Sequence, residues 1–143
     1  MTRIGEGIGL SQVGEWYASR ELFAQFWADL GGETGDPLHR CALAHAMADV
    51  QEDPDQELTW DLRALAAADL ITADRAARAG LPGSVRGLYP SLHLNLAECY
   101  RKLGDLDQAR DQLQLGQDAV GALGEDGYSR LRSGLDRLAE RLG

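Results

Sequence analysis

The chain has 143 residues, of which 26% are charged, and a formal net charge of −9. The length is typical of one domain. Acids outnumber bases and the arginines are scattered among acids, so we expect no basic patch and no nucleic-acid partner. No run of about 18 apolar residues is present and the first residues lack the pattern of a signal peptide, so we expect no membrane contact and a cytoplasmic location.

The first thirty residues predict two helices. Residues 2–13 carry apolar side chains at helical spacing, but the glycines among them cost about 1 kcal/mol each relative to alanine, so this helix is weak. Residues 15–30 show a stronger pattern that Gly31 and Gly32 end. The apolar positions of this second helix are Trp16, Leu22, Phe23, Phe26, Trp27 and Leu30.

Two longer helices are predicted next. Pro37 suits the first turn of a helix that continues to about Gln51. Asp53 then offers a cap for a long helix over 55–79, whose pattern thins and can break near Thr72.

A loop over 80–90 leads into the clearest pattern of the chain, a helical hairpin from Ser91 to Ala122. Gly104 ends its first helix, because glycine tolerates the backbone angles of a helix end. Asp105 or Asp107 can cap the second helix.

The spacing within this hairpin resembles a tetratricopeptide repeat, a unit of about 34 residues with a W-x-x-L-G-x-x-Y and an A-x-x-x-F signature. Small residues at Ala97 and Ala109 let two helices approach closely. His93 stands where the family prefers Trp, with its ring expected to be partly buried, and Gly121 stands where the family prefers Pro. The matching positions are Leu96-Ala97-x-x-Tyr100, Leu103-Gly104-Asp105 and Ala109-x-x-x-Leu113.

The resemblance extends to the rest of the chain, because Gly7 and Ala44 fall at the position of Ala97. It implies an all-α fold, a right-handed superhelix of about seven helices, in one domain over 1–143. In the second repeat, Leu58, Leu62 and Leu65 occupy the positions of the A-x-x-x-F-x-x-A signature, which lie on the inward face of the family's second helix. The units are a degenerate repeat at 3–30, a repeat at 37–79 with an extended second helix, the best repeat at 90–122 and a capping helix at 125–142.

One row of residues has side chains that could bind a metal ion or act in catalysis. Cys41, His45 and Asp49 are four residues apart and line one stripe of a helix. Their side chains can bind zinc, or act as a thiol, an imidazole and a carboxylate. Cys41 and Asp49 lie about 12 Å apart along the axis, so one ion cannot take all three. We therefore expect no catalytic, metal or cofactor site, and an enzyme with a metal or a reactive thiol is our third hypothesis.

The resemblance implies that the first helix of each hairpin lines a concave groove that binds peptides. We expect a non-catalytic adaptor for a protein or peptide partner. The family's carboxylate-clamp residues are not present, and Asn95 is expected to lie off the groove-facing stripe. The groove-facing residues are predicted to be Cys41, His45, Asp49, Leu94, Glu98, Arg101 and Lys102.

A second hypothesis is a self-associating structural or regulatory module, since the ends of a helical array leave apolar faces that can pair into a homodimer. Lys102 is the only lysine beside thirteen arginines, a bias typical of a GC-rich bacterial genome.

Overall fold

A computed structural model describes residues 2–80, 85–123 and 129–143. These residues form eight α-helices and no strand, so the predicted all-α fold is confirmed for them. The chain divides into two compact units, Met1–Ile71 and Thr72–Gly143, and each is described by itself. The single domain and the superhelical arrangement stay predictions.

The first unit contains four helices. They are α1 (Thr2–Gln12), α2 (Trp16–Asp29), α3 (Pro37–Asp49) and α4 (Pro54–Ala68), with a short 3-10 turn at Gly32–Thr34 between α2 and α3. The weak first helix therefore forms despite its glycines.

Close contact between α1 and α2 explains why α1 forms. Gly7 is buried, and a Cβ atom built on it would lie 2.5 Å from Cζ of Phe23. Only glycine leaves room for the Phe23 ring at this place. The buried Ser19 hydroxyl donates a hydrogen bond of 2.7 Å to the carbonyl of Gly7. The cost of glycine in α1 is thus offset by packing.

Capping residues define the next two helices. Asp36 accepts a hydrogen bond from the amide of His39, and Pro37 occupies the first turn of α3 as predicted. Asp53 accepts from the amide of Asp55 and caps α4. The core of this unit contains Phe23, Phe26, Leu43, Ala46, Met47 and Val50.

The predicted register of the second helix in this repeat is wrong. Leu62, assigned to an interior slot, is 41% exposed, whereas Ala64 and Ala68 are buried. Asp61 is buried as well, at 1% exposure. Alanine permits a closer approach of helix axes than leucine does, so the alanine stripe occupies the buried face.

The helix predicted over 55–79 is two helices, and the break predicted near Thr72 is confirmed. α4 ends at Ala68, and Thr72 adopts an extended conformation in which its hydroxyl accepts from the amide of Arg75. This cap starts a separate helix, α5 (Ala73–Arg78), which belongs to the second unit. The break near Thr72 accounts for an eighth helix where about seven were expected.

The second unit continues with α6 (Tyr89–Leu103), α7 (Leu106–Leu123) and α8 (Ser129–Leu142). A 3-10 turn at Val85–Leu88 precedes α6. The predicted loop over 80–90 is therefore wrong from residue 85 onward, while residues 81–84 lie outside the described residues. The predicted start of the last helix, at 125–128, lies outside them too.

The turn between α6 and α7 has the predicted chemistry. Gly104 has a φ of 84°, in the left-handed region that favours glycine. The Asp105 carboxylate accepts from the amide of Gln108 at 3.2 Å and caps α7. The core of this unit contains Ala97, Ala109, Leu113, Val120, Leu135, Leu138 and Leu142.

His93 connects the two helices of this hairpin. Its ring is half-buried, as predicted, and Nδ1 lies 2.7 Å from the side-chain oxygen of Gln112. Tyr89 stacks on it with ring centroids 6.0 Å apart. Across the described ranges, the helices are each too short or too polar to cross a bilayer.

Candidate functional site

A groove of about 320 Å³ runs between α6 and α8 of the second unit. The two helices contact each other, and both pack against α7. The groove is lined by Leu94, Asn95 and Glu98 of α6 and by Gly134, Arg137, Leu138 and Arg141 of α8. Its volume is at the lower end of the range for ligand sites, about 300–1,000 Å³, so it suits a few side chains.

Helical spacing brings these side chains to one place. Leu94 and Glu98 are one turn apart on α6, so they share a face. The four residues from α8 follow the spacing i, i+3, i+4 and i+7, which is one stripe of a helix. Within that stripe Leu138 is buried in the core of the unit, whereas Arg137 and Arg141 are exposed.

Gly134 sets the depth of the groove. It lies inside α8, where glycine costs about 1 kcal/mol relative to alanine. A Cβ atom at this position would lie 3.0 Å from Cδ2 of Leu94, which is a tight contact. The absence of a side chain therefore leaves space for Leu94 to form part of the groove floor.

Glu98 is the acidic centre of the groove. Arg101 donates to its carboxylate from Nε at 3.2 Å and from Nη2 at 2.5 Å. Nη1 of Arg141 lies 3.6 Å from the same carboxylate. The hydrogen bond from Arg101 lowers the pKa of Glu98, and the charges of Arg101, Arg141 and Lys102 lower it further, against a smaller rise from burial.

Positive charge exceeds negative charge around the groove. Arg137 makes no ion pair with any residue in the described parts of the chain. Arg101, Lys102 and Arg141 add three more cations around the single carboxylate of Glu98. Arg137 and Arg141 lie in one groove with Glu98 because α8 packs beside α6 and brings residues together that are far apart in the sequence.

The predicted residues of α6 are close to this groove. Leu94 and Glu98 line it, Arg101 holds Glu98, and the exposed Lys102 acts on Glu98 through its charge. Asn95 also lines this groove.

The three predicted residues of the first unit have a different environment. Cys41 is 5% exposed, and burial raises the pKa of its thiol to about 11. His45 is half-buried and Asp49 is exposed. The pKa of Asp49 is nevertheless raised, because neighbouring atoms exclude part of the water around its carboxyl group; the charge of His45 lowers this pKa and the charge of Glu57 raises it.

Cys41, His45 and Asp49 do not bring three ligand atoms within 4.8 Å of one another. The row therefore does not have the geometry to share one metal ion. With a pKa near 11 the Cys41 thiol is almost entirely protonated at neutral pH, and a protonated thiol is a poor nucleophile.

Four groove residues were missed at the sequence level, namely Gly134, Arg137, Leu138 and Arg141. A signal for them exists in their spacing within the last helix. The spacing alone does not indicate that this face of α8 lies beside α6; that contact is seen only in the structure.

Comparison with known proteins gives no relative. No protein-family model matches the chain, no curated protein is significantly similar to it, and no solved structure matches it. The interpretation of the groove depends on the residues and distances described above.

Proposed function

We propose that the chain is a non-catalytic adaptor whose groove between α6 and α8 binds a peptide segment of a partner protein. The observation that carries this proposal is an apolar floor beside charged walls. Leu94 supplies apolar surface, and Glu98, Arg137 and Arg141 supply charged groups that can fix a peptide's direction.

The chemistry of the groove favours binding over catalysis. Glu98 is held by Arg101, and a carboxylate whose pKa is lowered is a weaker base than an ordinary glutamate. Guanidinium groups stay protonated at all physiological pH values, so they are suited to hold anions and not to transfer protons.

We also propose that the hairpins belong to a superhelical array of the tetratricopeptide kind. Burial of Gly7, Ala44 and Ala97, the three small residues at matched positions, supports this proposal. A cytoplasmic location is part of the same proposal, and it is favoured by the two cysteines, Cys41 and Cys99, which are buried and not joined in a disulfide.

Self-association is a second candidate function, and one surface favours it. Val13, Trp16 and Tyr17 around the turn between α1 and α2 are 74%, 41% and 70% exposed. Exposed aromatic side chains are enriched at protein contacts. Light scattering across a dilution series tests this candidate: a dimer that Tyr17→Ser dissociates supports it, and a monomer at all concentrations contradicts it.

Selection from an unbiased library tests the adaptor proposal without knowledge of the partner. A random twelve-residue peptide library displayed on phage is selected against the immobilised full chain. The selected peptides are synthesised, and their affinities are measured for the parent chain and for Arg137→Ala, a substitution of an exposed side chain in the groove.

Arg78→Ala is the matched control, because Arg78 is an exposed arginine that pairs with Asp74 of its own helix, α5, and is not among the residues that line the groove. We expect Arg137→Ala to weaken the selected peptides and Arg78→Ala to leave them unchanged. A selection that yields no binder, or binders that respond equally to both substitutions, contradicts the proposal.

A further inference from the structure

The groove has a charge that differs in sign from that of the chain. The chain carries −9 overall, but the side chains that line the groove include two cations, Arg137 and Arg141, and one carboxylate, Glu98. A local field of opposite sign selects the charge of a partner and speeds its association. The occupant of the groove is therefore expected to be acidic.

The two arginines of α8 that line the groove have a spacing that an extended chain can match. Arg137 and Arg141 are four residues apart on one face, which is about 6 Å along a helix axis. Side chains at alternate positions of an extended peptide repeat every 6.6–6.8 Å, roughly the same distance. Two carboxylates at positions i and i+2 can thus face the two guanidinium groups together.

The residue between those two carboxylates points to the opposite side of an extended peptide. That side faces α6, where Leu94 offers apolar surface and Glu98 repels an acid. An apolar residue between two acids therefore meets the apolar floor at Leu94 and places no negative charge beside Glu98.

Existing contacts leave Arg137 and Arg141, the two arginines that line the groove, available to a ligand. Arg141 is 59% exposed, and its 3.6 Å contact with Glu98 is longer than the hydrogen bonds of Arg101 to the same carboxylate. Glu98 keeps Arg101 when Arg141 turns to a ligand, so no carboxylate loses its last partner. Arg137 has no ion pair to give up within the described ranges.

We propose that the occupant of the groove is an extended acidic peptide segment with an acid–apolar–acid pattern, its two carboxylates held by Arg137 and Arg141. This inference rests on the function proposed above and names the class of its ligand. The Glu98 carboxylate competes with the peptide for Arg141, and this competition limits the affinity of the groove for acidic segments.

Defined peptides test the inference on the full chain. Three nine-residue peptides with Gly and Ser flanks carry Glu-Leu-Glu, Gln-Leu-Gln or Glu-Ala-Glu at the centre. Both termini are blocked, so only side-chain carboxylates are present. Affinities are measured by amide chemical shifts of the ¹⁵N-labelled chain, which detect weak binding, and thermal melting checks that every variant is folded.

We expect Gln-Leu-Gln to bind about tenfold more weakly than Glu-Leu-Glu, since two charge-assisted hydrogen bonds are lost. Arg137→Ala and Arg141→Ala should each weaken Glu-Leu-Glu by about threefold to tenfold. Glu98→Gln should strengthen it about threefold, because it removes a like charge. Arg78→Ala should have no effect, and Glu-Ala-Glu should bind more weakly than Glu-Leu-Glu.

Equal affinity for Glu-Leu-Glu and Gln-Leu-Gln, or weaker binding by Glu98→Gln, would overturn the inference. A single-stranded oligonucleotide that binds the groove more tightly than the acidic peptide would also overturn it. The adaptor proposal has a separate test. It fails when the affinity of the library peptides does not depend on the groove residues. It survives, and only the acidic-peptide inference fails, when the peptides that depend on the groove are not acidic.

Discussion

Arg141 of α8 lies 3.6 Å from the Glu98 carboxylate of α6, 43 positions earlier in the chain, so one ion pair joins the two walls of the groove. Arg101 holds the same carboxylate from one turn further along α6. Glu98 therefore contributes to the packing of α8 as well as to the charge of the groove.

Glu98→Gln should lower the stability of the free chain at pH 7 by about 0.5–1 kcal/mol, the range for partly exposed ion pairs. The folded chain lowers the pKa of Glu98, so its contribution is fully present above the ordinary value of 4.5 and is lost as pH falls through the lowered value. Urea unfolding at pH 7 and at pH 3 measures this. The two chains should differ at pH 7 and agree more closely at pH 3; an equal difference at both values would contradict the role of the carboxylate charge.

Gly7→Ala should destabilise the chain by roughly 1–3 kcal/mol, because the new methyl group meets the buried Phe23 ring and a packed core resists added volume. Gly5→Ala and Gly9→Ala are matched controls in the same helix. Their Cβ atoms would meet nothing within 4 Å, so each should stabilise the chain by about 0.5–1 kcal/mol. Thermal unfolding measures the stability of the three variants. An equal change in melting temperature for all three would contradict the contact between Gly7 and Phe23.

Gly104→Ala should cost about 1 kcal/mol, because a φ of 84° is unfavourable for alanine. No atom lies within 4 Å of a Cβ built there, so backbone conformation alone is tested. Gly104→Asn should cost less, since asparagine tolerates the left-handed region better. Equal stability of the alanine variant and the parent chain in urea would show that α6 ends differently.

Alkaline pH should weaken the chain through Cys41. Its pKa rises from 9.0 to about 11 on folding, so its contribution is present below pH 9 and is lost as pH rises from 9 to 11. A shift of this size corresponds to about 2–3 kcal/mol. Cys41→Ala should show a shallower loss of stability over this window in urea unfolding, and an identical pH dependence would mean that the thiol is accessible to water.

Most of the helix ends could be predicted from local sequence patterns. Asp53, Pro37 and Gly104 act through neighbours within a few residues, so their capping roles could be predicted from the sequence. The break at Thr72 depends on a competition between a weak apolar pattern and a local cap, which spacing alone does not resolve. Leu62 was assigned to the wrong face because the spacing of apolar residues leaves the rotation of α4 about its own axis undetermined.

The candidate site was predicted only on its α6 side. Leu94 and Glu98 follow from one helix face, which a sequence pattern can indicate. Arg137 and Arg141 enter the groove because α8 packs beside α6, a contact between helices far apart in sequence. The charge of the groove is therefore a property of the tertiary structure, and the overall charge of −9 hides it.

Amide chemical shifts of the ¹⁵N-labelled full chain, titrated with a peptide selected from the library, test whether the groove between α6 and α8 binds a peptide. We expect the amides of Gly134 and Asn95 to shift in a saturable way, and those of Gly5 and Gly104 not to shift. Shifts confined to residues outside the groove, or no saturable shift at Gly134 and Asn95, would contradict the assignment of the groove as a peptide-binding site.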